Sequence, residues 1–250
     1  MSSVVEETAA ERPAAVARPR RKPAAVLQGV LIGLGLLLLV GGFVVMALDY
    51  RPYGIPTGSM TPTLKVGDTV LARQIDGTTV GRGDVVIFRD HAWGGELMVK
   101  RVVAVGGDTV ATGNDQRLTV NGKPVDEPYL AAQDSQGTAF SVEVPPGRLF
   151  LLGDNRQGSM DSRLHLEIDG GTIPASEVEA RVEATVLPFG RTGLFARTSA
   201  FDGIAGPKAG EPGPLEPAFY ATVVGAALIV VTSGVGAAAG VARRLRRRAA

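Results

Sequence analysis

The chain has 250 residues and a net charge of +1, with no cysteine and only two histidines. The lack of cysteine excludes disulfides, thiolate metal ligands and a cysteine nucleophile, and two histidines argue against a multi-histidine metal site. Ten of the 26 basic and three of the 25 acidic residues lie in residues 1–25 and 243–250, which leaves −6 between them. An acidic middle argues against nucleic-acid binding.

The N-terminal part of the chain divides into a polar tail and an apolar segment. Residues 1–25 are rich in Ala, Pro, Glu and Arg, which predicts a disordered tail. Residues 26–48 are almost wholly apolar and would span about 34 Å as a helix, enough to cross a bilayer. A cleaved signal peptide is the alternative, because small residues lie near Ala47, but the apolar run is longer than a usual signal core.

A turn rich in Gly and Pro follows at residues 53–64. Gly54, Pro56, Gly58 and Pro62 interrupt any helix or central strand, so the backbone must turn here. Ser59 on such a turn can present its hydroxyl to a cleft. Taken alone, this composition is more typical of an ordinary loop.

Residues 65–190 contain many short apolar or alternating runs without helical periods between them, which predicts an antiparallel all-β domain. Asp76-Gly77 and Asn121-Gly122 are predicted hairpin turns. The predicted strands are residues 69–75, 78–80, 84–88, 97–105, 118–120, 123–125, 140–144, 148–152 and 178–187.

Three kinds of side chain in this region could activate a serine. His91 and His165 each have a carboxylate neighbour, but neither belongs to a motif, and a surface histidine is the ordinary interpretation. Lys100 interrupts a strand that would otherwise be apolar. If buried there, its pKa falls and it can act as a general base; if the strand lies at an edge, Lys100 and Arg101 are ordinary alternating charges.

A dense polar loop at residues 153–163 follows a buried strand. It is either a solvated loop or a source of hydrogen bonds that orient a buried base. In the second case, we expect Asp161 to pair with Arg101.

The C-terminal part repeats the order of the N-terminal part in reverse. Residues 191–218 are rich in Gly, Pro and Ala and are predicted to be a linker. Residues 219–242 form a second apolar segment without charge, and residues 243–250 carry five arginines. An amphipathic or buried helix is the alternative for this segment. Basic ends favour cytoplasmic termini and an extracytoplasmic domain at residues 49–190, in a multi-pass protein of the cell membrane in contact with lipid.

Four motifs occur in a fixed order: Pro-Thr-Gly-Ser-Met-Thr-Pro-Thr-Leu at 56–64, Gly-Asp-Val-Val at 83–86, Lys-Arg-Val-Val at 100–103, and the polar loop at 153–163. With them the chain resembles the bacterial type I signal peptidases, membrane-bound Ser/Lys endopeptidases, over about residues 26–190. One motif is a weak indication, but four in the family order are highly specific.

The resemblance implies a fold, an activity and roles for named residues. The fold is an antiparallel β catalytic domain between two transmembrane helices, and the activity removes signal peptides from exported preproteins after Ala-x-Ala-like sites without metal or cofactor. Ser59 is the implied nucleophile and Lys100 the general base. Thr57, where the family often has serine, would complete an oxyanion hole with the Ser59 N–H. The other implied residues are Ser159, which orients the lysine; the supporting Asp161, Arg163 and Arg101; and the substrate-pocket residues Ile55, Pro56, Met60, Leu64, Met98 and Val99.

Two other functions remain open at this point. A Ser/Lys self-cleaving repressor would share the dyad, but two membrane spans and an acidic middle argue against it. A non-catalytic membrane-anchored β-domain would retain Ser59 and Lys100 without using them.

Overall fold

The structure is a computed structural model that describes residues 23–130 and 137–249. The tail predicted at residues 1–25 lies almost wholly outside the described residues. The described chain forms two compact units, one comprising residues 40–222 and the other residues 23–39 and 223–249.

The larger unit is an antiparallel β-domain, which confirms the predicted fold class. Its main sheet has the strand order β1-β2-β11-β3-β4-β9-β10, with β12 also paired to β11, and a smaller sheet has the order β7-β6-β5-β8. The strands are β1 (Tyr50–Gly54), β2 (Thr69–Gln74), β3 (Val85–Arg89), β4 (Leu97–Val105), β5 (Thr109–Thr112), β6 (Leu118–Val120), β7 (Lys123–Pro124), β8 (Phe140–Glu143), β9 (Arg148–Leu152), β10 (Thr172–Pro174), β11 (Val178–Leu187) and β12 (Gly193–Leu194).

The central strands are buried on both faces, because separate apolar clusters cover the two sides of the main sheet. In β4, Val99 belongs to the cluster on one side of the sheet and Val102 to the cluster on the other side. The sequence explains this burial, since β3 and β9 are nearly continuous apolar runs rather than alternating ones. Any charged side chain in β4 is therefore removed from water.

One predicted hairpin is confirmed and the other is wrong. Asn121 and Gly122 join β6 to β7 with positive φ at both residues, as a tight antiparallel turn requires. Asp76-Gly77, in contrast, begins a 3₁₀ turn (Gly77–Thr79) in which the Asp76 carboxylate accepts the Thr78 N–H. The preceding strand, β2, pairs with β1 and β11 instead. The Asp76 side chain caps this 3₁₀ turn, and the chain therefore does not form the hairpin turn that Asp-Gly also favours.

Residues 191–218, interpreted from composition as a linker, pack against the β-domain. Phe201 and Ile204 are buried in the apolar cluster that joins the two sheets. The Asp84 carboxylate accepts the Gly210 N–H at 3.1 Å, and the Arg82 side chain donates to two carbonyl groups of this segment. The segment is thus an ordered part of the domain, although its composition resembles that of a flexible connection.

Two helices in the described chain are long and apolar enough to cross a membrane: α1 (Pro23–Asp49) and α2 (Leu215–Arg248). Little of either helix is buried within the protein, unlike the core helix of a soluble domain. Within the smaller unit they approach closely where side chains are small; a Cβ at Gly225 would overlap the backbone of Gly35 and Leu39. This close approach is typical of helices that pack through glycine in membranes.

Candidate active site

Ser59 lies on a turn that the β1–β2 connection holds tightly. Two backbone hydrogen bonds close the turn. The Ile55 N–H donates to the Asp68 carbonyl oxygen at 2.8 Å, and the Leu64 N–H donates to the Met60 carbonyl oxygen at 2.9 Å. The Asp68 carboxylate also accepts the Lys65 N–H and a bond from Arg191. These contacts fix a backbone that its glycines and prolines keep out of regular structure.

Lys100 lies in the middle of β4, and its side chain meets Ser59. Lys100 Nζ is 3.1 Å from Ser59 Oγ and 3.0 Å from the carbonyl oxygen of Val99. Both side chains are buried, Lys100 being 4% exposed and Ser59 5%. Burial lowers the pKa of Lys100 to about 8, against the opposing effect of the Asp161 and Asp154 carboxylates.

This arrangement is that of a nucleophile beside a base. A protonated amine at Lys100 donates to the hydroxyl oxygen, whereas a neutral amine accepts the hydroxyl proton. Thr57 Oγ1 lies on the same side, 3.4 Å from Ser59 Oγ. Three polar atoms from two segments of the chain therefore converge within hydrogen-bond distance.

Arg101, next to the lysine, pairs with Asp154 and not with Asp161 as the sequence predicted. Its guanidinium makes two bonds to that carboxylate, at 2.8 and 2.6 Å, and a third to the Gly83 carbonyl. The Tyr129 ring lies over it at 4.0 Å. Asp154 also accepts the Thr63 hydroxyl at 2.5 Å.

Asp154 was missed as a site residue, although it lies in the polar motif. It joins the Ser59 turn, through Thr63, to the lysine strand, through Arg101. Its own pairing depends on long-range register, which its Gly-Asp-Asn context does not specify.

Asp161 has a different partner from the predicted one. It receives two bonds from Arg163, each at 2.8 Å, and the Gly153 N–H at 3.0 Å. Arg163 in turn donates to the Arg156 carbonyl. Asp161 and Arg163 thereby fold the polar loop onto itself, while Arg101 belongs to the separate pair with Asp154.

Ser159 is buried beside the dyad but does not hydrogen-bond to Lys100 as expected. Its hydroxyl has no hydrogen-bond partner among the described residues. It packs against Gly153, where a Cβ would overlap both the Ser159 hydroxyl and the Ser59 carbonyl oxygen. The glycine is therefore required for the polar loop to approach the Ser59 turn.

Asn155 is a second residue that the sequence analysis did not single out. Its side-chain amide donates to the Gly58 carbonyl at 3.0 Å, and its backbone N–H donates to the Ser59 carbonyl at 3.0 Å. Its side-chain oxygen accepts the Gly158 N–H, which fixes the orientation of the amide. Asn155 thus holds the peptide groups on both sides of the serine.

The predicted pocket residues separate into two groups. Ile55, Met60, Leu64 and Val99 lie together in one buried apolar cluster next to Ser59, and Pro56 lies exposed on the same turn. Met98 packs against the cluster on the other side of the sheet. This difference follows from strand alternation, since neighbouring residues of β4 face opposite sides.

Both histidines have contacts away from the dyad. The His165 ring stacks on Trp93 at 4.1 Å, and its Nδ1 lies 2.9 Å from the Asp161 carbonyl. His91 begins a short 3₁₀ turn capped by Asp90. Among the described residues no group of three or more His, Cys, Asp or Glu side chains is arranged to hold a metal ion.

Known proteins resemble most of this chain in sequence. The family model described as "Signal peptidase, peptidase S26" matches residues 27–187. The chain is 33% identical to a probable signal peptidase I of Mycobacterium leprae, over 77% of this chain and 86% of the relative. It is 36% identical to signal peptidase I U of Bacillus subtilis, over 59% and 81%. A crystal structure of a signal peptidase I from Enterococcus faecalis aligns with 40% of this chain and 93% of its own, at 28% identity and a TM-score of 0.34.

The β-domain, the two candidate membrane spans and these matches together define a membrane-anchored serine endopeptidase. The match covers well over half of the chain, and the chain belongs to the peptidase S26 family of signal peptidases. Its activity is that of a signal peptidase I, which removes signal peptides from preproteins.

Proposed function

We propose that Ser59 is the nucleophile and Lys100 the general base of this signal peptidase. The observation that carries the proposal is the 3.1 Å distance between Ser59 Oγ and Lys100 Nζ in a buried site. A buried amine whose pKa is about 8 has a substantial neutral fraction near neutral pH, unlike a free lysine.

The reaction proceeds in two steps. Neutral Lys100 accepts the Ser59 hydroxyl proton as Oγ attacks the scissile carbonyl carbon. The protonated amine then donates to the leaving nitrogen as the C–N bond breaks, which leaves an acyl ester on Ser59. Lys100, neutral again, takes a proton from water as the water oxygen attacks the ester carbonyl carbon, and it returns that proton to Ser59 Oγ when the ester bond breaks.

The Ser59 N–H and the Thr57 hydroxyl are the donors for the oxyanion. Thr57 already lies 3.4 Å from Ser59 Oγ, so a side-chain rotation brings its hydroxyl to an oxygen bound beside that atom. Thr63, Arg101 and Asp154 hold the two catalytic segments together. Ser159 lies buried against Gly153, and its hydroxyl has no hydrogen-bond partner among the described residues.

Substrates are exported preproteins with small residues at the cut, as in Ala-x-Ala. Ile55, Met60, Leu64 and Val99 form an apolar wall beside Ser59 that suits small side chains. Pro56, exposed on the Ser59 turn, contacts the substrate chain beside the cut, whereas Met98 packs on the other side of the sheet and takes no part in this contact.

The catalytic domain is extracytoplasmic, and both termini are cytoplasmic. Five arginines lie in the last turns of α2, and five basic residues precede α1. Such basic ends favour the cytoplasmic side of the membrane. In intact spheroplasts, added protease should cut between about residues 50 and 215 and leave the ends protected. Protection of the middle would contradict this topology.

The catalytic roles are tested with the full chain in detergent and a preprotein carrying an Ala-x-Ala site. Ser59→Ala and Lys100→Met should abolish cleavage, whereas the double variant His91→Ala/His165→Ala should retain most of it. Cleavage by Ser59→Ala at the wild-type rate would contradict the assignment. Incubation without a preprotein shows whether the chain cuts itself, which distinguishes a self-cleaving protease.

A further inference from the structure

An apolar crevice with an accessible volume of about 820 Å³ lies between α1 and α2 in the unit of residues 23–39 and 223–249. Leu27 and Leu31 form its α1 wall, and Val231 and Val235 face them from α2. Neither the proposed catalytic residues nor the β-domain contributes to it. The signal peptidase reaction therefore leaves this cavity without an assigned role.

Small residues keep the crevice open. The α2 side continues through Gly236, Ala239 and Ala242, spaced three residues apart on one face. Gln28 occupies only a small part of the crevice. Its side-chain amide donates to the Thr232 carbonyl at 3.4 Å and lies against Gly236, where a Cβ would overlap it. Beyond it, the α2 lining consists of alanines as far as Arg243, so the gap against α1 stays open along this stretch.

Charge distinguishes one end of the crevice. Arg243 and Arg246 line it, and the Arg243 side chain is held against the helix by a bond to the Ala239 carbonyl at 3.0 Å. The acidic residues of the two helices, Asp49 and Glu216, lie at their opposite ends. The crevice thus combines an apolar channel along the helices with a cationic end, and no carboxylate of residues 23–130 or 137–249 lines it.

We propose that this crevice is a binding site for one anionic phospholipid. Arg243 and Arg246 bind the phosphate through their guanidinium groups, and an acyl chain lies along Leu27, Leu31 and Val235. Basic pockets between membrane helices bind anionic headgroups in this manner. Charge complementarity selects the lipid class, because the described lining offers donors and positive charge, and it contains no carboxylate to bind a choline group.

The chain contains its own matched control. Arg244, Arg247 and Arg248 belong to the same basic segment but do not line the crevice. Arg243→Gln/Arg246→Gln and Arg244→Gln/Arg247→Gln lower the net charge equally. They differ only in whether the arginines face the crevice.

The experiment uses native mass spectrometry of the full chain with phosphatidylglycerol or phosphatidylcholine of identical acyl chains. We expect one tightly retained phosphatidylglycerol, with affinity reduced roughly tenfold or more by Arg243→Gln/Arg246→Gln and about twofold or less by the control pair. Equal losses in the two variants would mean diffuse surface charge and would overturn the proposal. Equal binding of phosphatidylcholine would overturn it as well.

A second pair of variants tests the apolar part of the site. Ala239→Leu fills the crevice and should displace the lipid, whereas Ala238→Leu, one residue away and outside the lining, should not. Preprotein cleavage in detergent reports whether each variant is folded. A folded Ala239→Leu protein that binds phosphatidylglycerol like wild type would contradict the placement of the acyl chain.

Discussion

The side-chain amide of Asn155 donates a hydrogen bond to the carbonyl oxygen of Gly58, 3.0 Å away. That carbonyl belongs to the same peptide group as the Ser59 N–H, the proposed oxyanion donor. A bond to the carbonyl fixes the peptide plane and polarises the N–H on its other side. Asn155 is therefore placed to aim the donor without touching the substrate.

Replacing Asn155 should lower kcat more than it weakens substrate binding. Asn155→Ala removes the bond, and Asn155→Asp replaces the donor with a carboxylate that repels the Gly58 carbonyl. Since loss of a whole oxyanion donor costs about 10²–10³ in kcat, we expect a loss of roughly tenfold to a hundredfold, greater for Asp, with KM little changed. Steady-state cleavage of a preprotein measures both constants.

The control for Asn155 is Met160→Ala, at a position in the same loop whose side chain is 67% exposed. A purely structural role for Asn155 would raise KM and lower the melting temperature together. A peptide aldehyde, whose adduct with Ser59 carries the oxyanion, should also lose affinity for Asn155→Ala while an uncleavable substrate peptide does not.

The activity of the wild-type enzyme should fall as pH falls below about 8. The neutral form of Lys100 is the base, and its pKa is about 8, so each further unit of acidification removes about nine-tenths of that form. The acid limb of kcat/KM against pH measures this pKa. Lys100→Arg should be inactive throughout the range, because a guanidinium stays protonated. An acid limb near pH 10, with an active Lys100→Arg variant, would require another base.

Breaking the Arg101–Asp154 pair should destabilise the β-domain. Arg101 is 2% exposed, so Asp154→Asn leaves a buried guanidinium without its counter-charge, at a cost of about 3–5 kcal/mol. Thermal unfolding of the full chain in detergent measures the change. Asp202→Asn removes an exposed carboxylate that lies 3.9 Å from Arg197 and 4.0 Å from Lys208, and it should shift stability by about 0.5 kcal/mol or less. Equal losses of stability in the two variants would mean that the buried pair stabilises the domain no more than an exposed one.

The apolar wall beside Ser59 should set the size limit of the substrate. With Ala just before the cut, cleavage proceeds; with Trp there, kcat/KM should fall at least a hundredfold, because the side chain clashes with Ile55 or Val99. Val99→Ala should enlarge the pocket and recover part of the cleavage of intermediate substrates such as Val. Equal cleavage of Ala and Trp substrates would show that the pocket lies elsewhere.

The strands and the motif order were predictable because their signals are local. The bounds of β4 and β11 match the predicted strands, since β4 is a long, mainly apolar run and β11 alternates between small apolar and polar residues. Lys100 was recognisable as unusual because a charge interrupts such a run. The order of the four motifs then selected the family.

The pairing of charges was not predictable, because it depends on long-range register. Arg101 has several carboxylates within the motifs, and only the folded sheet brings Asp154 to it rather than Asp161. Residues 191–218 mislead for a different reason. Their glycines and prolines resemble those of a linker, while two apolar residues, Phe201 and Ile204, suffice to pack the segment into the core.

The Glu183 carboxylate accepts hydrogen bonds from residues at both ends of the β-domain. The Tyr50 hydroxyl, at the start of β1, donates to Glu183 at 2.8 Å, and the Gly213 N–H, just before α2, donates to the same carboxylate at 3.0 Å. The domain therefore has adjacent termini, the property that permits circular permutation. Joining residues 50 and 213 by a short peptide, and opening the chain at the Asn121-Gly122 turn, would preserve every strand pairing around Ser59 while detaching the domain from both helices.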